Sequence, residues 1–303
     1  MNEEERRFHD HSSTQIAQVV RRLLPLVDAI TRRKSPSMDE VHADYRLIAC
    51  MVALARQRES LLAAIKLSED TLGHLAVGFI RPACEEYLWL KYLTSLECKD
   101  SNDVLLVLAS SDALRSLSAA RGYIGDPMLN KLGFPTSFLS TTQAGLDSAR
   151  ERLAALRQRL AWDGKSGPTA RWLAARVGEV RLYDYLYAAS SRAVHFSAGE
   201  VFRRTWFDID GTVSVEDADH RIYLSDFALY QLVDLAIRTF VVAADWLANS
   251  SNDESGDQEF SEEILKPLEE FNRLPQVPLI IAKEYEIAWG AGLQGWGPKG
   301  RRL

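Results

Sequence analysis

From Glu69 to Lys99, apolar side chains return every three or four residues, and this spacing constrains the chain more than any other feature. Leu72, Leu75, Ala76, Phe79, Ala83, Tyr87, Leu90 and Leu93 fall on one helical face, so the segment predicts a long core helix. Pro82 inside it predicts a kink or a fresh start. The same period predicts helices over Thr14–Arg33, Asp39–Leu67, Ser101–Arg121, Thr141–Trp162, Thr169–Val177 and Leu224–Asn249. Ser68 and Ser225 stand where helix caps are expected, and Gly122–Pro135 predicts a loop. The clear strand signal is Val201–Ile209 and Thr212–Val215, flanking Asp210-Gly211 as a two-residue turn. The expected fold is therefore mainly α, a multi-helix bundle with one inserted β-hairpin at about 201–216. Residues 1–250 form the expected helical domain. Residues 251–303 read as an acidic linker followed by a glycine-containing tail, in which Trp289 and Trp296 are expected to dock.

The net charge of −6 gives no general attraction for nucleic acid. Gly145 to Arg181, with eight basic and four acidic residues, is the most basic stretch, and a solvated helix surface accounts for it as well as a phosphate site does. Gly164-Lys165-Ser166 invites a phosphate-loop reading, but position 159 is arginine where that loop needs glycine, and no strand precedes it. Cys50, Cys84 and Cys98 lack metal-ligand spacing, and no helix carries two ligands at metal spacing, so neither metal nor cofactor is expected. An odd cysteine count points to a reducing cytoplasm. The charged N-terminus lacks the apolar core of a secretory signal, and Ala228–Ala248 carries Asp234, Arg238 and Asp245, so a buried helix is expected there rather than a membrane span.

The candidate site centres on Tyr185–Ser197. Tyr187, Ser191 and His195 are four apart and share one helical stripe, and Arg192 lies three before His195. Histidine titrates near neutral pH, so His195, Ser191 and Arg192 are the candidate catalytic residues. Arg81 and Glu85 form a second polar stripe with His74 and Gly78. Together with Tyr187 they are the candidate substrate-binding residues, and Arg81 with Glu85 or Glu86 is expected to pack against the His195 helix. The competing reading makes all of these a hydrogen-bonded network that fixes helix packing.

RPACEEYLWLKYL (Arg81–Leu93) followed by YAASSRAVHFS (Tyr187–Ser197) resembles a bacterial helical family known as domain of unknown function 5677, over about residues 40 to 250. The matching positions are Arg81, Glu85 or Glu86, Ser191, Val194 and His195. The resemblance implies an all-helical fold and no established activity. Such families are compared with the HEPN RNases of prokaryotic toxin and defence systems, whose arginine stands several residues before a histidine. Here those positions are Ala188, Ala189 and Ser190, and Arg192 is too close to His195.

Two functions follow. The first is a cytosolic helical binding or interaction module in a stress or phage-defence setting, with a homodimer or a protein partner and no membrane. The alternative is an effector enzyme acting on RNA or a nucleotide, with His195 as acid or base.

Overall fold

The computed structural model describes residues 15–22, 24–25, 37–194, 206–207, 213–214, 218–250, 269–274 and 277. They are mainly helical. Residues 15–22 and 24–25 are helical, followed by α1 (Met38–Ala43), α2 (Arg46–Glu69), a 3-10 turn (Gly73–Ala76), α3 (Val77–Thr94), α4 (Cys98–Ile124), α5 (Asp126–Lys131), α6 (Thr136–Leu160), α7 (Ala170–Arg176), α8 (Val180–Val194) and α9 (Ala218–Ser250).

The chain divides into two compact units. One draws on residues 1–35, 50–90 and 181–303, the other on 36–49 and 91–180. In the first, Leu54, Leu61 and Ala64 of α2, Ile80, Ala83, Cys84 and Leu88 of α3, Leu186 and Ala189 of α8, and Phe227, Leu232, Leu235 and Phe240 of α9 are buried. Their recurrence every three or four residues is the helical stripe that burial of apolar area requires. In the second, Leu146, Ala149, Leu153 and Leu156 make the buried stripe of α6, and α6 packs on α4. Trp162 donates its indole N–H to the buried Tyr92 hydroxyl at 3.0 Å, and Trp172 meets the Tyr92 ring edge-on at 5.5 Å. Lys91 and Glu179 close this unit with an ion pair at 2.6 Å.

Several expected boundaries move. The expected helix Asp39–Leu67 is two helices, broken at Asp44, with Ser37 and Glu40 forming a capping box on α1. Asn102 spans the break, accepting from Tyr45 N at 2.8 Å and donating to Ala43 O at 3.0 Å. The Gly122–Pro135 segment is not a plain loop. It contains α5, whose first turn admits Pro127 because no intrahelical N–H bond is needed there. Helix α3 runs through Pro82 without restarting.

The residues before α3 take a different register from the expected one. Gly73–Ala76 winds as a 3-10 turn, so Leu72 and Leu75 are 42% and 52% exposed while His74 is buried. Neither expected serine cap acts as a cap. Helix α9 begins at Ala218, which leaves Ser225 inside it. Ser68 donates to Ala64 O at 2.9 Å and meets the Ser225 hydroxyl at 3.0 Å. The serines join two helices where the 3-10 turn lies against α9.

Trp206–Phe207 and Val213–Ser214 pair antiparallel, two residues each. A hairpin spanning 201–216 is not supported beyond this pair, and Asp210-Gly211 lies outside the described residues. The linker at 251–258 and both tail tryptophans also lie outside them. Residues 269–272 are helical, and Phe271 is buried with its ring 4.8 Å from that of Tyr230, while Glu270 pairs with Arg22. Arg221–Trp246 of α9 contains a window long and apolar enough for a membrane span, with mean hydropathy 1.5. As 67% of that window is buried within the protein, it serves as a core helix. Its Asp234 and Arg238 pair with each other at 2.7 Å.

Candidate functional site

Arg81 lies in the second turn of α3, and Glu85 one turn further on the same face. Arg81 Nε donates to Glu85 Oε1 at 2.8 Å. The Arg81 guanidinium also sits over the Tyr187 ring of α8, 5.0 Å from its centroid. Tyr183, one turn earlier on α8, stacks at 5.5 Å on Tyr187 with the ring planes inclined at 33°. Thus α3 and α8 meet through an arginine shared between a carboxylate and an aromatic face, the arrangement that cation–π attraction favours. The Arg81 side chain remains 40% exposed and Tyr187 41% exposed, so the cluster forms an open face.

Its electrostatics act on Arg81 and Tyr183. The hydrogen bond that Arg81 donates to Glu85 raises the guanidinium further above its already high value, against the opposing pull of burial. Burial raises the Tyr183 phenol, with the Glu85 charge adding to this and Arg81 opposing it. Neither group moves towards neutral pH.

Glu85 and Glu86 have different partners. Glu86 points to α2, where Arg56 pairs with one of its carboxylate oxygens. Its other oxygen is buried without a hydrogen-bond partner among the described residues. Burial raises the Glu86 carboxyl above the usual range, and Arg56 offsets part of that rise. Beside Arg56, the buried Gln57 donates to Ala83 O at 3.0 Å, tying α2 to α3.

The other candidates divide by position. Ser191 is on α8 and half-buried, whereas its neighbour Ser190 is fully buried and donates to Leu186 O at 2.8 Å. Arg192 has helical backbone, but its side chain is not described. His195 lies outside the described residues. Arg81, Glu85 and Tyr187 therefore come together, and Tyr183 joins them. Tyr183 was within reach of the sequence, because it extends the Tyr187–Ser191–His195 spacing of four by one turn.

The basic stretch offers less free charge than its composition suggests. Arg150 pairs with Asp147 at 2.9 Å, and Arg159 with Asp100 and Asp103 at 2.9 and 2.8 Å. The Gly164-Lys165-Ser166 turn is closed by Asp163, whose carboxylate accepts from the Thr169 backbone at 2.9 Å and hydroxyl at 2.6 Å. Among the described residues no group of three His, Cys, Asp or Glu side chains could hold a metal ion.

The model of a family described as a family of unknown function, DUF5677, matches residues 47–212. The chain belongs to this family. The DUF5677 match contains α3 and α8, and with them Arg81, Glu85, Tyr183, Tyr187, Ser191 and Arg192. It ends before α9, so it is shorter than the span of about 40 to 250 read from the sequence. No curated protein and no solved structure matches the chain.

Proposed function

We propose that the protein is a binding or interaction module whose working face is formed by Arg81, Glu85, Tyr183 and Tyr187. The observation that carries this reading is the half-exposed Arg81 held between Glu85 and Tyr187. General acid–base chemistry needs a group poised near the working pH. Arg81 and Tyr183 are both shifted further from it. Tyrosine and arginine are the side chains that anchor protein interfaces, and here they are held in place by one another. A protein partner contacting Arg81, Glu85 and Tyr187 fits this face.

The setting in this reading is a bacterial cytoplasm and a stress or phage-defence role. The resemblance to a bacterial family supports the bacterial part of this setting, and Cys50, Cys84 and Cys98, which form no disulfide, fit a cytoplasm.

The alternative keeps His195 as a proton-transfer group, oriented by Ser191, with Arg192 or Arg81 on phosphate. Its support is the placement of Tyr187 and Ser191 on α8, one turn apart and in line with position 195. An RNA and nucleotide turnover assay separates the two readings. The binding reading expects no turnover by the native chain. Turnover lost in a folded His195→Ala variant would establish the enzyme reading instead.

A further inference from the structure

The second unit presents an apolar surface that its own core does not use. From the end of α4 to just past α5, Tyr123 is 92% exposed and Leu132 is 63% exposed, with Ile124, Met128 and Phe134 each more than a third exposed. An aromatic side chain carries ~150–250 Å², so these five leave on the order of 500 Å² of apolar surface in water. That lies at the upper end of what a monomer shows. It is also a large part of the roughly 800 Å² that each partner gives to a standard dimer.

The surface is built on fixed structure. Leu129, between Met128 and Leu132, is buried with Leu117 of α4 and packs with Ala120. Arg121 clamps the α4–α5 turn by donating to both Asp126 oxygens, at 2.6 and 2.8 Å. Met128 and Leu132, four apart, lie on one side of α5.

The surrounding charge selects the occupant. At the α4–α5 turn Arg121 pairs with Asp126, which leaves Lys131 as the extra charge on α5. A near-neutral rim gives little attraction to nucleic acid or anionic lipid. It also lets two copies of a chain with net charge −6 approach where like charge is least. We propose that this surface is a two-fold contact between two copies of this chain, centred on Tyr123, Met128 and Leu132. A two-fold contact sets the same patch on both sides, so a neutral apolar surface is complementary to itself.

Sedimentation velocity of the full chain tests this, run from about 1 to 100 μM. The native protein is expected to show a concentration-dependent dimer. Leu132→Asp and Tyr123→Ser, both at exposed positions, are each expected to weaken it by about tenfold or more, with unchanged circular dichroism. A monomer throughout the range, or a dimer that neither substitution weakens, would overturn the proposal. So would binding of a monomeric native protein to phosphatidylglycerol vesicles that Leu132→Asp abolishes, which would assign the patch to a lipid surface.

Discussion

Arg81 illustrates how one side chain can order an open face. It is bound on one side by a carboxylate and on the other by a ring. In a double-mutant cycle with Tyr187→Ala and Arg81→Ala, the coupling should be only about 0.5–1 kcal/mol in denaturant unfolding, the range for an exposed cation–π contact. A coupling of several kcal/mol would mean that the contact holds up the fold. Glu86 gives a pH test. Its carboxyl is raised by burial, so the folded state disfavours the charged form. The resulting penalty is absent below the ordinary carboxylate range, and it grows as pH rises through the window up to the raised value. Glu86→Gln should therefore gain stability relative to the native chain between about pH 4 and pH 7. Urea midpoints at the two pH values check the sign, and a relative loss at the higher pH would contradict it. Gly73 marks a close approach. A Cβ there would lie 1.9 Å from Ser225 Oγ and 2.8 Å from Ser225 Cβ. Gly73→Ala should cost about 1–3 kcal/mol, and Ser225→Gly, which removes both atoms, should recover part of that loss.

At the scale of elements, the helix ends separate what was legible in the sequence from what was not. Helices α2, α5 and α7 each close with a backbone bond that reaches back five residues into the last turn: Leu72 N to Leu67 O, Phe134 N to Leu129 O and Glu179 N to Ala174 O. Trp162 N to Arg157 O does the same for α6. This closure requires a left-handed residue. Gly133 and Gly178 supply it after α5 and α7, and Thr71 and Ala161, with φ of 61° and 56°, supply it after α2 and α6. Thr71→Gly and Ala161→Gly should each stabilise by about 0.5–1 kcal/mol, since glycine removes the Cβ strain. Differential scanning calorimetry would register this as a higher Tm, and a lower Tm in both variants would contradict it. A stop at glycine can be read from the chain, whereas a stop at threonine or alanine is set by packing. The same limit explains Leu72 and Leu75. Their spacing fits an α-helix, but a 3-10 turn places them outside and His74 inside. The cap serines also failed as sequence signals, because Ser68 and Ser225 meet across elements rather than ending them. At the site, the spacing of four placed Tyr187 on one stripe of α8, but its contact with Arg81 and the division of Glu85 and Glu86 between different partners depend on helix rotation, which no local pattern encodes.

For the whole molecule, the proposed binding face lies on one unit and the proposed self-association patch on the other. The long periodic segments made a mainly helical fold legible from the start, but they do not show which face stays in water. The central claim is that the face around Arg81 and Tyr187 binds a partner. The most direct measurement places a photo-cross-linking phenylalanine analogue at position 187 of the full chain and irradiates it in the host cell, alone and combined with Arg81→Ala or Glu85→Ala. One discrete adduct is expected, and either substitution should remove it while circular dichroism stays unchanged. The absence of any adduct at position 187, or an adduct indifferent to both substitutions, would contradict it.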